Sequence, residues 1–380
     1  MSVTLNKISK SYNGRSVLKD LSLKIRKGEF HVLLGPSGGG KTTILSVIAG
    51  LTRQDSGSVF IGKREVSNLS PGERRIGFVF QDYALFPHLT VFENAAYGLR
   101  VKKVKESKIR RKVDCYLSKV HLEKEKDKFP QQLSGGQKQR AALARALVAE
   151  PEVLLMDEPM NSLDTLTKET IRNELKSIHQ EMEMTTVYVT HNQDEAILVA
   201  DQVSVLHHGE IEQIESPDEL FYHPKTEFVA RFVGIKNILK VFPMEISNSE
   251  AAVQINSDGL GQPIKIRVKR YPILEKGKEI NLCIHPDKII LKRINEAVDV
   301  NLNRISGKIM DRTKNSRDFR TMVDIGGMVL HAATRGGLFD FEANENVWVC
   351  FAPDALHPLC GKKSRVPLSK RRCMNRLYSK

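Results

Sequence analysis

Gly35-Pro36-Ser37-Gly38-Gly39-Gly40-Lys41-Thr42 follows the apolar run Phe30-His31-Val32-Leu33-Leu34 and leads into Thr43-Ile44-Leu45-Ser46-Val47-Ile48-Ala49. The order of buried strand, glycine-rich loop and helix gives the pattern G-x-x-x-x-G-K-[ST] its proper physical setting. Glycines allow backbone N–H groups to turn inward around phosphate oxygens, and the helix N-terminus adds a partial positive charge. Lys41 then places a point charge on a β/γ-phosphate pair, and the Thr42 hydroxyl can ligate Mg²⁺. The plainer reading is a tight turn followed by a chance Lys-Thr, and the flanking strand and helix argue against it.

Working outward, Val153-Leu154-Leu155-Met156 reads as a second buried strand, and it delivers Asp157 and Glu158 at its C-terminal end. Ligands of open α/β sheets bind there. Asp157 is the candidate Mg²⁺ ligand, and Glu158 is the candidate for orienting or deprotonating an attacking water. Without a phosphate loop the pair would be an ordinary solvated turn. Leu133-Ser134-Gly135-Gly136-Gln137 opens a further predicted helix through Ala149, which supplies a second anion-binding helix end or simply an N-cap at Ser134. Val3–Leu23 alternates as strands around a turn at Asn13-Gly14, residues 92–128 are rich in helix formers, and Thr186–Val189 reads as one more buried strand. Strands alternating with helices predict an α/β fold with a parallel sheet.

The chain has 380 residues, enough for one large and one small domain. Hydrophobic content of 41% and charged content of 27% fit a globular protein, and no apolar run approaches the roughly 20 residues of a membrane span. The N-terminus lacks a basic segment followed by an apolar one, so no secretory leader is expected. The expected location is the cytoplasmic face of the membrane. The five cysteines include no C-x-x-C pair, which argues against a disulfide framework or a structural zinc site. Of the net charge of +14, eight basic residues lie in the last twenty positions without an acidic one. The charge therefore reads as a solvated tail, and no specific nucleic-acid partner is expected.

After about Gly234 the helix signal fades and short β-like runs take over. Ile280–Asp287 and Val347–Asp354 share a Cys-x-x-Pro-Asp core, and Asn237-Ile238 and Asn303-Arg304-Ile305 open two units at nearly the same offset. Two copies of a small β-barrel-like unit are expected, with Cys283 and Cys350 as buried residues. The expected organisation is 1–235, 236–361, and a basic tail at 362–380.

Taken in order, these motifs resemble the nucleotide-binding domain of ABC transporters across the first 235 residues. The resemblance implies a P-loop NTPase fold with a helical subdomain, ATP hydrolysis with Mg²⁺, and a head-to-tail dimer. Each ATP would lie between one chain's Gly35–Thr43 and the other's Leu133–Gln137. It further implies that Tyr12 stacks on adenine, that Gln81 senses the metal and the membrane domain, that Asp164 lies in the dimer-contact loop, and that His191 meets the γ-phosphate. The family's loop usually begins with Ser-Ala, where this chain has Asn161-Ser162. Implied partners are a second copy, integral-membrane permease subunits and, indirectly, an extracytoplasmic solute-binding protein. The β half resembles the OB/TOBE-like regulatory part of importer ATPases, most closely that of molybdate or tungstate importers. Sulfate, polyamine, ferric iron and sugar remain open as cargo. Ser306-Gly307-Lys308 and Thr334-Arg335-Gly336-Gly337 are the candidate anion-holding segments. A non-transport ABC ATPase acting on nucleic acid or ribosomes is the alternative from another class.

Overall fold

The computed structural model describes residues 1–161, 163–255, 263–314, 318–335 and 341–360. The chain forms two compact units, Met1–Leu220 and a second beginning at Phe221, ahead of the boundary expected near 235. The first opens with β1 (Val3–Tyr12) and β2 (Arg15–Ile25), joined at Asn13-Gly14. Both turn residues have positive φ, 49° and 76°, which matches the twist of a tight hairpin. Then come β3 (Phe30–Leu34), α1 (Lys41–Ala49), β4 (Ser56–Ile61), β5 (Arg64–Glu65) and β6 (Ile76–Val79). Three helices follow, α2 (Val91–Val101), α3 (Glu106–Lys119) and α4 (Gly135–Leu147), which pack on one another as the expected helical subdomain. The remainder of the first unit is β7 (Val153–Asp157), α5 (Thr165–Met182), β8 (Thr185–Thr190), α6 (Gln193–Val199), β9 (Gln202–His207) and β10 (Glu210–Glu215), and α7 (Pro217–Tyr222) spans the boundary.

Two sheets organise this unit. One is antiparallel, β2-β1-β4-β5; the other has the order β10-β9-β3-β8-β7-β6, with β9 through β6 parallel and β10 antiparallel. Strands β3, β7 and β8 are buried along their whole length instead of on alternate residues, with His31, Thr185, Thr186 and Thr190 buried among the apolar side chains. Ile44, Leu45, Val47 and Ile48 of α1 join Leu5, Leu23, Val153, Leu155 and Val187 in one core. Each such side chain stabilises the fold by roughly 1.5–3 kcal/mol relative to exposure.

Helix α1 carries the phosphate loop, and its far end is held by a buried charge. Gly50 turns left-handed at φ 77°, and the Arg74 guanidinium donates to Val47 O at 2.7 Å and Ile48 O at 2.8 Å. It also donates to Leu69 O and Ser67 O, while burial lowers the Arg74 pKa from its ordinary value. A cation at the C-terminal end satisfies carbonyls the helix cannot pair and complements its dipole.

The second unit contains α8 (Glu227–Phe232), β11 (Asn237–Ile246), β12 (Glu250–Ile255), β13 (Ile264–Lys269), β14 (Ile280–Ile284), β15 (Ile290–Arg293), β16 (Asn303–Lys314), β17 (Asp318–Asp324), β18 (Val329–Arg335), β19 (Asn346–Phe351) and β20 (Leu356–Leu359). Its two sheets run β13-β12-β11-β14-β20 and β15-β19-β16-β17-β18. The repeat seen in the sequence is therefore two five-strand units that exchange their last strands: β15 closes the second sheet and β20 the first. Each opening asparagine reaches into the other repeat. Asn237 accepts from His331 N and donates to His331 O; Asn303 accepts from Arg267 N and donates to Arg267 O. Leu239, Val241 and Leu282 share one core with Ile305, Val347 and Phe351. The two expected copies of a β-barrel-like unit thus interlock in one body.

Cys283 and Cys350 are buried free thiols at matching positions, and burial pushes the Cys283 thiol up to about 12, where it stays protonated. The candidate anion segment Ser306-Gly307-Lys308 lies inside β16, where all three residues pair with β19 and Lys308 alone also pairs with β17, so it is part of a strand. A Cβ on Gly307 would come 2.5 Å from Val323 Cγ1, so the glycine serves close packing. Of the other segment, Thr334-Arg335 ends β18, and Gly336-Gly337 lies outside the described residues, as do Ser162 and the tail.

Arg74→Ala removes the guanidinium donor from Val47 O and Ile48 O at the end of α1, leaving Val47 O with the Gly50 N–H. We expect a loss of about 1–3 kcal/mol, measured by urea unfolding followed by circular dichroism. An unchanged midpoint would contradict this account of the helix end.

Candidate functional site at the strand ends

The parallel order β3-β8-β7-β6 places four strand ends side by side, and each releases a candidate residue. β3 leads to the glycine loop, β8 to His191, β7 to Asp157 and Glu158, and β6 to Gln81. Segments far apart in sequence thus converge through strand order alone.

The loop geometry requires glycine where it occurs. A Cβ on Gly35 would lie 2.4 Å from Leu206 O on β9, and Gly38 and Gly40 have φ of 76° and 96°. Gly40 caps α1, Gly39 N donates to Pro36 O at 3.2 Å, and Ser37 and Gly38 are exposed at the loop's crest. The buried Lys41 ammonium folds back over the loop and donates to Gly35 O at 2.9 Å and Pro36 O at 3.0 Å. Burial lowers its pKa, while Glu158 and Asp157 work in the opposite direction. Thr42 Oγ1 donates to Asp157 Oδ1 at 3.1 Å, and Thr43 stands beside it in the first helical turn. Burial raises the Asp157 pKa and the Glu158 charge raises it further, against the Thr42 hydrogen bond and Lys41. Thr42, Asp157 and Gln81 each carry a side-chain oxygen, the ligand chemistry that suits Mg²⁺.

Glu158 leaves the strand in a left-handed conformation, φ 43°, and its N–H donates to Val189 O on β8 at 3.0 Å. One carboxylate oxygen lies 3.2 Å from His191 Nδ1; the other accepts from Asn161 Nδ2 at 3.1 Å. Asn161, seen in the sequence only as a departure from Ser-Ala, is therefore a neighbour of the candidate base. His191 is set by the residues around it. Thr190 Oγ1 and Tyr188 Oη both donate to Glu195 Oε2, Asn192 N donates to Thr190 Oγ1, and Lys168 Nζ lies 3.7 Å from Glu195. Burial and the Glu195 charge hold the Tyr188 phenol well above its ordinary pKa.

Ser134 caps α4: its hydroxyl accepts from Gln137 N, and Gln137 Oε1 accepts from Ser134 N. The N-cap reading and the anion-end reading therefore describe the same residue. A Cβ on Gly136 would lie 2.9 Å from Thr167 Cγ2, and one on Gly135 3.1 Å from Leu163 Cδ2, so both glycines allow α4 to approach the start of α5. Leu133 is buried behind them, and Asp164 caps α5 by accepting from Thr167 N at 3.0 Å. Tyr12 is exposed at the end of β1, with Lys10 Nζ 5.3 Å from its ring centre.

Gln81 is exposed, and among the described residues no hydrogen bond ties its amide to Thr42 or Asp157. The loop behind it is more constrained. Tyr83 and Ala84 are consecutive left-handed residues at φ 64° and 44°, and Arg145 of α4 donates to both carbonyls, at 2.7 and 2.5 Å. Asn94 of α2 then accepts from Phe86 N and donates to the carbonyls of Phe86, Leu89 and Thr90. Arg145 and Asn94 went unmarked in the sequence. The available signal was a lone cation in Ala141-Ala142-Leu143-Ala144-Arg145-Ala146-Leu147 and a lone amide before Ala95-Ala96.

Among the described residues no helix is long and apolar enough to cross a membrane. The ABC transporter family profile matches residues 18–161. The chain is 43% identical over 291 residues to the spermidine/putrescine import ATP-binding protein PotA of Thermotoga maritima, covering 77% of this chain and 78% of that one. It is 47% identical over 237 residues to the sulfate/thiosulfate import ATP-binding protein CysA of Synechococcus elongatus, covering 62% and 69%. Among solved structures it is similar to the ATP-binding cassette MJ0796, a dimer bound to ADP and phosphate. That likeness has a TM-score of 0.53 and 36% identity over 57% of this chain and 98% of that one.

Proposed function

Because the chain belongs to the ATP-binding subunits of ABC importers, we propose that two copies close head to tail on ATP, hydrolyse it, and drive polyamine uptake through a membrane permease. The observation that carries this reading is the convergence of the phosphate loop, Asp157-Glu158, His191 and Gln81 on neighbouring strand ends, with a second exposed helix end at Ser134. Two phosphate-binding helix ends in one chain are explained if each serves a different subunit's nucleotide.

Within such a site the loop N–H groups and Lys41 hold the phosphates. Lys41 exchanges its bonds to Gly35 O and Pro36 O for phosphate oxygens as ATP enters. Mg²⁺ held by Thr42, Asp157 and Gln81 would neutralise charge on the transferring phosphoryl group. Glu158 orients and deprotonates the attacking water, with His191 and Asn161 fixing its two oxygens. Tyr12 stacks on the adenine. Ser134 and Gly136 meet the γ-phosphate from the partner, so hydrolysis removes a contact across the interface and the dimer opens. Leu85 and Phe86 beside Pro87 form the surface that receives the permease; Phe86 packs 4.5 Å from the exposed Tyr97 ring. The complex so formed lies on the cytoplasmic face of the membrane and is fed by a solute-binding protein outside.

Polyamine is preferred over an oxyanion on two grounds. A 291-residue match to a polyamine importer subunit necessarily runs well into the second unit, since the first ends at Leu220. The sulfate/thiosulfate match is shorter, and neither relative's name mentions molybdate or tungstate. Moreover, Ser306-Gly307-Lys308 has its backbone in strand ladders. Sulfate remains the second reading. Uptake of labelled spermidine, putrescine, sulfate and molybdate into vesicles holding the full transporter and its binding protein decides among them. ATP-dependent accumulation of spermidine or putrescine alone is expected, and accumulation of sulfate or molybdate instead would overturn the choice.

Glu158→Gln keeps the shape of the side chain and removes the base. The variant should bind ATP, remain dimeric with it, and hydrolyse it about 10²–10⁴-fold more slowly. Near-normal turnover of the purified variant transporter would sink the assignment of Glu158.

A further inference from the structure

We propose that Arg145 is a positioning residue that fastens the loop behind Gln81 to α4, so that one helix links the two ATP sites of a dimer. The inference rests on the reading that Ser134 acts on the partner's nucleotide. Ser134 caps the N-terminus of α4, and Arg145 stands about three turns further along the same helix, roughly 16 Å at 1.5 Å per residue. One end of this rod meets the partner's ATP, and the other grips the loop that carries this chain's Gln81.

The grip is specific. Left-handed conformations at Tyr83 and Ala84 bring successive carbonyls to one side, where a single planar guanidinium reaches both. Two parallel N–H bonds from one fork fix direction as well as distance, which an ammonium cannot do. The same guanidinium carbon lies 5.7 Å from the centre of the Phe86 ring, so the fork is also seated against the loop's next turn. Burial lowers the Arg145 pKa, and the Asp82 carboxylate opposes that. Non-glycine residues in left-handed conformation persist only where the surroundings hold them, and such segments are suited to switching. Asn94 fixes the far side of the loop to α2. Motion of α4 is therefore passed to Tyr83 and Ala84, and from there to Gln81 two residues earlier. Because coupling between sites is reciprocal, metal and phosphate at Gln81 in turn bias how α4 presents Ser134.

The test uses the complete transporter with Arg145→Lys, which keeps charge and stem, and Arg145→Met, which keeps only the stem beside Phe86. Both variants should bind a fluorescent ATP analogue within about twofold of the parent, because neither alters the phosphate loop. The Hill coefficient for ATP hydrolysis should fall from above 1 toward 1, and solute moved per ATP should fall about fivefold or more. Arg145→Met should be the more severe. A purely structural role would lower thermal stability and leave both ratios unchanged, and that result overturns the proposal. So does a parent without cooperativity, or failure of both variants to fold. ATP-driven dimerisation in the Glu158→Gln background separates the layers. If Glu158→Gln alone does not dimerise, the composite-site reading falls; if it does and Arg145→Lys keeps full cooperativity, only the role of Arg145 falls.

Discussion

Four neighbouring parallel strands must end at one edge of one sheet, and the candidate site depends on that constraint. Within this set β3, β8 and β7 are buried on both faces, so their backbone polar groups are spent on neighbouring strands and their side chains on the core. At the shared edge the chain leaves the sheet, and there polar groups become available together. Left-handed backbone at Gly38, Gly40 and Glu158 marks the points where it turns out of regular structure. The contacts that follow join these ends: Thr42 at the start of α1 with Asp157, and Glu158 with His191 from the adjacent strands β7 and β8. Moving any one strand in the order would dissolve the constellation without changing a residue.

Helix ends supply the second theme. α1 begins at the phosphate loop and is closed at its far end by Arg74, a cation where the helix dipole is negative. α4 begins at Ser134 and carries Arg145 near its other end. In both helices an N-terminus fit for an anion is anchored by an arginine that donates to backbone carbonyls. The second unit achieves its rigidity differently. Its repeats exchange final strands and clamp each other through Asn237 and Asn303, so neither has a complete core alone.

Much of this was legible in the residues because local physics forced it. Glycines at Gly35 and Gly40 have no substitute, unbroken apolar runs at Phe30–Leu34 and Val153–Met156 predict doubly covered strands, and Ser134 with Gln137 predicts a helix start. The helical character of residues 92–128 and the internal repeat were readable from composition and pattern. Strand exchange was not, because pairing partners distant in sequence leave no local pattern. For the same reason Ser306-Gly307-Lys308 read as an anion-holding segment and not as a strand: small, polar and basic residues suit both. Arg145 and Asn94 escaped notice because their partners are backbone carbonyls, which every residue carries. Cargo lies furthest from the sequence, since the ATPase chain need never touch the solute.

The central claim is that each ATP is hydrolysed between the phosphate loop of one copy and the Ser134 helix end of the other. Lys41→Ala and Ser134→Arg, each introduced into the full transporter, separate the two halves of that site. In a mixture of the two variant chains, half-and-half dimers contain one site with both elements intact and one with both damaged. ATPase activity of purified mixed transporters is the measurement. Negligible activity in each pure variant with partial recovery in the mixture is the predicted result. Substantial activity in either pure variant, or no recovery in mixed dimers of verified composition, would contradict the shared site.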